Sequence, residues 1–419
     1  MGVFDIIALF FALAAVFLFV NTYFIKLPSS IGLMILALVL SLVVLIIGTI
    51  HPEYHLAEKV AEFDFTELMY RFVLSVMLFA GALNVNFDQL GKQLIPILIL
   101  SFFGVLISTA TIGFLVYYMA QFINIELSFM TSLVFGALIS GTDPIAITKN
   151  IQRFYLSNAL ETKVRGESLL NGGISIVFAF TLANINEAQF SAEFQTLDIY
   201  MIVIRDLAGG LIVGLIFGWL GYALLKFVDN EHVEAEMLIT LAMVMGGSYL
   251  ADALGVSSTL VAVLSGIIIG NLGRNPSTGE NAVGAYVYKF WGLLEDTMAA
   301  ILFVLIGFEM LVIPIRLDYF AGGFFAVLIV LFARWLAMFV PIRLMSNLRN
   351  FDNATVSVLT WGALRGGLPV AFTLSLSEFP GKEVLITFTY VVVAVTILYQ
   401  GLTLGVVMKL YKKQNPATN

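Results

Sequence analysis

Apolar stretches recur from one end of the chain to the other, separated by short segments of charged or turn-forming residues. A helix needs roughly 20 mainly apolar residues to cross the hydrocarbon core of a bilayer, so each stretch is a candidate membrane span. The pattern predicts thirteen spans, at residues 3–24, 29–50, 66–87, 92–121, 126–149, 165–186, 199–226, 234–254, 255–272, 287–314, 320–345, 353–375 and 384–410. The predicted fold is therefore an all-α polytopic membrane protein.

Composition agrees with this prediction. Of 419 residues, 60% are hydrophobic and 12% are charged, whereas soluble domains are typically about 25% charged. The first apolar run, near Met1, lacks a basic leader and a small-residue cleavage site, so we interpret it as a retained span. Because the connections are short, we expect residues 1–419 to form a single transmembrane unit without a soluble domain.

Charge sets the expected orientation and excludes several functions. Of the 21 lysines and arginines, fourteen fall on the side of the C-terminus, three on the opposite side and four within spans. The excess of basic residues on cytoplasmic loops predicts a cytoplasmic C-terminus and an external N-terminus. A net charge of −7 gives no basic surface for nucleic acid, and the lack of cysteine excludes disulfides and thiolate metal sites.

Two predicted spans are interrupted at bilayer depth. Ser140–Pro144 breaks the fifth span and Arg365–Pro369 breaks the twelfth, and the residues that break the helices are Gly141, Pro144, Gly366 and Gly367. Irregular backbone is tolerated there only where protein or a water-filled cavity satisfies it. In a 6 + 1 + 6 arrangement the two spans occupy matching positions, which predicts two inverted six-helix repeats with discontinuous helices 5 and 12 and a transport site where they cross. Ordinary Pro and Gly kinks are the alternative.

The sixth span begins with a polar stripe. Its members that we expect to take part in ion binding are Glu167, Ser168, Asn171 and Gly172. Residues four apart share a helix face, so Glu167 lies above Asn171 and Ser168 above Gly172. The carboxylate, hydroxyl and amide oxygens of this stripe, together with carbonyls freed where the helices break, suit a hard cation.

Charges within the spans need partners. Arg365 needs a counter-charge, which Glu167 or Asp143 could provide. Glu167 could instead be an interfacial carboxylate paired with nearby Lys163 or Arg165.

Arg334, in mid-span, also predicts a buried partner, which the sequence does not name. Glu295 and Asp296, in the inner part of the tenth span, could line a path or merely satisfy neighbours.

Enzyme motifs are missing from the sequence. The three histidines lie in predicted loops, and no H-E-x-x-H motif, P-loop or nucleophile elbow occurs. We therefore expect no enzymatic activity and no cofactor, with an intramembrane hydrolase as a remote alternative.

Several motifs resemble the NhaP/NHE-type sodium/proton antiporters of the monovalent cation:proton antiporter superfamily. They are Leu78–Leu83, Gly141–Pro144, Gly166–Asn171, Phe303–Glu309 and Trp361–Gly367. The resemblance implies a dimerisation part and a mobile six-helix core, interleaved in sequence. It also implies electroneutral exchange of Na⁺ or Li⁺ for H⁺ by alternating access, in a plasma-membrane homodimer.

Carried over residue by residue, the resemblance makes Thr142 and Ser168 ligands of Na⁺ and pairs Glu167 with Arg365 in the core. Asn171 takes the first place of the family's Asn-Asp pair, and Gly172 stands where the ion-binding Asp is expected. Glycine cannot titrate. Either another carboxylate, Glu167 or Asp143, carries the proton, or the chain is a K⁺-selective or proton-uncoupled relative, or it is inactive in transport.

Overall fold

The computed structural model describes residues 3–50, 72–85, 91, 93–143, 158–190, 196–228, 232–272, 284–309, 316–345, 353–376 and 379–414. The helices of the first half are α1 (Val3–Val20), α2 (Ser29–Ile50), α3 (Ser75–Leu83), α4 (Leu94–Phe122), α5 (Phe129–Ser140) and α6 (Asn158–Phe190). Those of the second half are α7 (Thr196–Phe227), α8 (Val233–Leu254), α9 (Ser258–Leu272), α10 (Ala285–Glu309), α11 (Leu317–Met345), α12 (Asn353–Trp361), α13 (Leu368–Ser375), α14 (Lys382–Val395) and α15 (Gly401–Gln414). π-Helical turns at Asn21–Ile25 and Thr396–Gln400 extend α1 and join α14 to α15.

The all-α polytopic prediction is confirmed. Each of the thirteen predicted spans contains at least one described helix, and α12 and α13 share the twelfth. Within the described residues, eight helical stretches are long and apolar enough to cross a membrane. The exact count of thirteen membrane crossings stays a prediction.

The helices form two bundles. The site bundle contains α4, α5, α6, α11, α12, α13, α14 and α15, and the scaffold bundle contains α1, α2, α3, α7, α8, α9 and α10. Contacts are dense within each bundle and sparser between them. The main contacts between the bundles join α6 to α3, α7 and α9, α10 to α13, and α2 to the π-helical turn at Thr396–Gln400. We call the contact region of α6 with α3, together with adjoining α10, the seam.

Small residues allow the closest helix contacts. A Cβ on Gly136 of α5 would lie 2.6 Å from the carbonyl oxygen of Thr109 on α4. In membranes, where lipid is as apolar as a leucine side chain, helices associate largely through such close packing. Large apolar side chains, such as Ile216 and Trp219 of α7, remain exposed on the outer surface, as expected for a lipid-facing surface.

Local sequence fixes the ends of the helices that lead into the site. Ser128 caps α5, since its hydroxyl accepts a hydrogen bond from the backbone N–H of Thr131 at 2.9 Å. At the other end, Gly141 adopts an extended conformation that terminates the helix. α13 begins with a proline in its first turn, where the missing N–H costs no helical hydrogen bond.

Candidate functional site

The break in the fifth span is a short extended segment. α5 ends at Ser140, and residues 141–143 continue without helical structure, with Thr142 and Asp143 buried. Pro144 lies outside the described residues. The described part therefore shows the interruption that the sequence predicts but not the continuation of the span.

The break in the twelfth span lies between α12 and α13, over residues 362–367. The two breaks meet. The backbone N–H of Asp143 donates to the carbonyl of Leu364 at 2.9 Å, and Nη1 of Arg365 donates to the carbonyl of Gly141 at 3.1 Å. A Cβ on Gly366 would overlap the carboxylate of Asp143, so glycine is needed for this approach.

The polar stripe of α6 lies against this crossing. A Cβ on Gly172 would sit 3.1 Å from the carbonyl oxygen of Thr142, so position 172 faces the broken segment directly. Ser175 donates to the carbonyl of Gly172 at 2.9 Å, and its side chain occupies the space beside Gly141. The structure thus brings Gly141 and Thr142 of the fifth span, Gly172 of the sixth and Gly366 of the twelfth into one region.

Glu167 is fully buried and forms a bidentate ion pair with Arg334 of α11. Nη1 of Arg334 lies 2.8 Å from Oε1 of Glu167, and Nη2 lies 2.8 Å from Oε2. Asn171 donates to Oε1 of Glu167 at 2.8 Å, as their spacing of four residues predicts. Arg334 also donates through Nη2 to the carbonyl of Leu359, near the end of α12, at 3.1 Å.

The prediction that Glu167 pairs with Arg365 is therefore wrong. The partner is Arg334, and Arg365 interacts with Glu167 and with Arg334 only at longer range while its Nη1 donates to the carbonyl of Gly141. The interfacial interpretation of Glu167 is also wrong, because none of its side chain is exposed. The sequence indicated only that Arg334 needs a buried partner, and the structure identifies it.

Three buried side-chain oxygens near the crossing have no hydrogen-bond partner within the described part of the chain. They are Oγ1 of Thr142, Oγ of Ser168 and Oδ1 of Asn171. Buried polar atoms are normally hydrogen-bonded, so these three oxygens need an explanation, and binding of a cation or of water would provide one. Neutral oxygens of this kind can replace part of the hydration shell of a hard cation.

Comparison with known proteins agrees with this geometry. The family described as "Sodium/hydrogen exchanger, transmembrane" matches residues 7–410. The chain belongs to this family. The chain is 36% identical to the Na⁺/H⁺ antiporter NhaP of Pseudomonas aeruginosa, over 98% of this chain and 97% of that protein. It is 28% identical to the Na⁺/H⁺ antiporter NhaG of Bacillus atrophaeus, over 86% of this chain and 68% of that protein.

The fold of this sodium/hydrogen exchanger chain also resembles a solved structure. It is similar to the sodium proton antiporter MjNhaP1 of Methanocaldococcus jannaschii, with a TM-score of 0.76, 97% of each chain covered and 17% sequence identity. At that identity the likeness concerns the fold alone. The family assignment and the fold class expected from the sequence are thus confirmed.

Proposed function

We propose that this protein is a secondary active transporter that exchanges Na⁺ or Li⁺ for H⁺ across the plasma membrane, without net charge movement, by alternating access. The observation that carries the proposal is the meeting of two broken helices beside the unpartnered oxygens of Thr142, Ser168 and Asn171. Relatives across most of the chain are named Na⁺/H⁺ antiporters. Discontinuous helices that meet inside a membrane are typical of secondary transporters.

The proposed cation ligands are oxygens of the site bundle. Thr142 and Ser168 contribute hydroxyl oxygens, Asn171 contributes its amide oxygen, and the Thr142 carbonyl faces Gly172. Ser168 and Asn171 belong to α6, and Thr142 belongs to the extended segment that follows α5. The site bundle is the proposed moving part, and the sparse contacts with the scaffold bundle favour its displacement.

The proton is assigned to Asp143 rather than Glu167. A proton on Glu167 would leave the guanidinium of Arg334 buried without its charge partner, which typically costs about 3–5 kcal/mol. Asp143 is the other buried carboxylate among the predicted site residues, and it adjoins both Thr142 and Gly366. Competition between a proton at Asp143 and a cation at the adjacent oxygens would couple the two fluxes.

The remaining proposals concern the orientation of the protein in the membrane and its assembly. The basic residues favour a cytoplasmic C-terminus and an external N-terminus. We propose a homodimer that assembles through the scaffold bundle, because the family resemblance implies a dimerisation part separate from the moving one. Residues 1–419 then act as one transport unit in the bilayer.

The test follows lumenal pH in proteoliposomes with an acidic lumen. External Na⁺ or Li⁺ should alkalinise the lumen and K⁺ should not, while a potential-sensitive dye records no change. Asp143→Asn should abolish the response, and Asp318→Asn, which removes an exposed carboxylate at the start of α11, should preserve it.

The outcomes separate the alternatives. A response to K⁺ in place of Na⁺ would contradict the proposed ion. A response that appears only in Gly172→Asp would show that the native chain is not an exchanger. The added Cβ would lie 3.1 Å from the backbone oxygen of Thr142, which must move by a few tenths of an ångström to admit it. If Asp143→Asn exchanges normally, the assignment of the proton to Asp143 is wrong.

A further inference from the structure

A fully buried carboxylate in the scaffold bundle is not used by the proposed transport site. Glu236 lies in the first turn of α8, and none of its side chain is exposed. Neither of its carboxylate oxygens has a hydrogen-bond partner of normal geometry among the described residues. Glu167, by contrast, is held by two contacts of 2.8 Å to Arg334. Within the described part of the chain, Glu236 therefore lacks the charge partner that a buried carboxylate normally has.

The backbone at the start of α10 lies against this carboxylate. A Cβ on Gly284 would lie 2.6 Å from Oε2 and 3.4 Å from Cδ of Glu236, so glycine is needed for the approach. The backbone amide of Gly284 interacts with the carboxylate, but it carries no charge. Because Gly284 is itself only half-buried, the carboxylate lies close beneath the protein surface.

Hydrogen bonds one to two turns further along fix the surrounding helices to one another. Nε1 of Trp291 on α10 donates to Oγ1 of Thr240 on α8 at 2.9 Å, and both side chains are fully buried. The hydroxyl of Tyr288 on α10 donates to the carbonyl of Gly270 on α9 at 3.2 Å. The burial of Glu236 is thus part of a packed arrangement of three helices.

The N-terminus of α8 does not account for Glu236. A helix N-terminus favours an acidic side chain nearby, but the exposed Glu234 already provides one in the same turn. The gain from the helix dipole is also small beside the cost of burying a carboxylate without a positive charge. Buried charges in proteins are paired or bind metal ions, and the packing around Glu236 therefore calls for a cation.

We propose that Glu236 binds a monovalent alkali cation, Na⁺ or K⁺, at a site in the scaffold bundle separate from the transport site. Carboxylate oxygens suit such hard cations, and one carboxylate balances one positive charge. A divalent ion is not favoured, since the described residues contain no group of three or more acidic, histidine or cysteine side chains that could hold a metal. The bound ion joins the first turn of α8 to the start of α10. This inference goes beyond the proposed exchange and does not rest on it.

Thermal unfolding in detergent tests the site, with NaCl or KCl replacing N-methyl-D-glucamine chloride at constant ionic strength. The melting temperature of the native protein should rise by a few degrees with the concentration of alkali cation, because a ligand that binds only the folded state stabilises it. Glu236→Gln should melt above the native protein when alkali cations are absent, because no charge remains buried there, and it should lose most of the response. Glu234→Gln, the matched control, should behave like the native protein.

The transport site is separated by repeating the series in a Ser168→Ala background, which removes a proposed ligand of the transported ion. The response lost in Glu236→Gln should be the same in both backgrounds, because it belongs to a different site. Absence of exchange in proteoliposomes would refute the proposed function and leave this response unchanged, so the two failures are distinguishable.

Several results would overturn the inference. They are an equal response in Glu236→Gln and the native protein, no response of the native protein to Na⁺ or K⁺, and a response to Mg²⁺ or Ca²⁺ alone. A dependence of the Glu236→Gln difference on pH but not on alkali cations would show that a proton neutralises the carboxylate instead. If Glu236→Gln does not fold, Glu236→Asp and Glu236→Ala are compared, and only the aspartate should keep the response.

Discussion

Replacing Arg334 with methionine would leave the carboxylate of Glu167 buried without its ion-pair partner. The variant loses two contacts of 2.8 Å to Glu167 and the hydrogen bonds from Arg334 to the carbonyl of Leu359. None of the Glu167 side chain and only 2% of that of Arg334 is exposed, so water cannot replace what is lost. Breaking a buried pair by removing one partner typically costs about 3–5 kcal/mol.

A double variant separates the net contribution of the ion pair to the free energy of unfolding from the penalty of leaving one charge buried without a partner. In Glu167→Met with Arg334→Met, no charge of the pair remains buried, and replacing both partners with apolar side chains is often close to neutral. We therefore expect the double variant to be more stable than Arg334→Met alone, although Asn171 then loses its acceptor on Glu167.

Thermal unfolding in detergent, followed by tryptophan fluorescence and by size-exclusion chromatography, measures the effect. Arg316→Met is the matched control. It breaks an ion pair of similar length with Asp318, 2.7 Å, whose side chains are 53% and 44% exposed. An exposed pair of this kind contributes little to stability, because solvent screens it. Equal losses in Arg334→Met and Arg316→Met, or a double variant that loses the sum of its two single variants, would refute the reasoning.

Two further predictions concern local structure. Ser128→Ala should destabilise the protein by about 0.5–2 kcal/mol, because α5 loses its N-cap. Ser128→Thr keeps the hydroxyl acceptor and should unfold at nearly the native temperature. Equal losses of stability in the two variants would contradict the capping role of Ser128. Gly136→Ala should cost about 1–3 kcal/mol of stability, because its Cβ would lie 2.6 Å from the carbonyl oxygen of Thr109. Gly48→Ala, whose Cβ would have nothing within 4 Å, should be neutral or stabilising. The same thermal assay compares the two variants, and equal melting temperatures would argue against the close packing of α4 and α5.

The spans and their breaks could be predicted because both signals are local. Hydropathy over a span-length window defines a membrane helix. Gly141 and Gly366 mark interruptions, and the structure shows the extended and irregular segments there. The spacing of Glu167 and Asn171 places them on one face of α6, and their hydrogen bond follows from that spacing.

The partner of Glu167 could not be predicted, because it depends on how distant helices pack. Arg334 and Arg365 are chemically equivalent intramembrane arginines, and nothing in their local sequence ranks them. The family resemblance favoured Arg365 as the partner of Glu167. In the structure, α11 places Arg334 beside Glu167 of α6, and the guanidinium of Arg365 instead donates a hydrogen bond to the carbonyl of Gly141.

The buried side chain of Arg334 links three helices of the site bundle. This one side chain joins α11 to α6 through Glu167 and to α12 through Leu359, so a displacement of one helix is transmitted to the others. The seam has no comparably dense set of contacts among the described residues. One buried side chain therefore fixes the relative positions of α6, α11 and α12, and the site bundle is held together more tightly than it is held to the scaffold bundle.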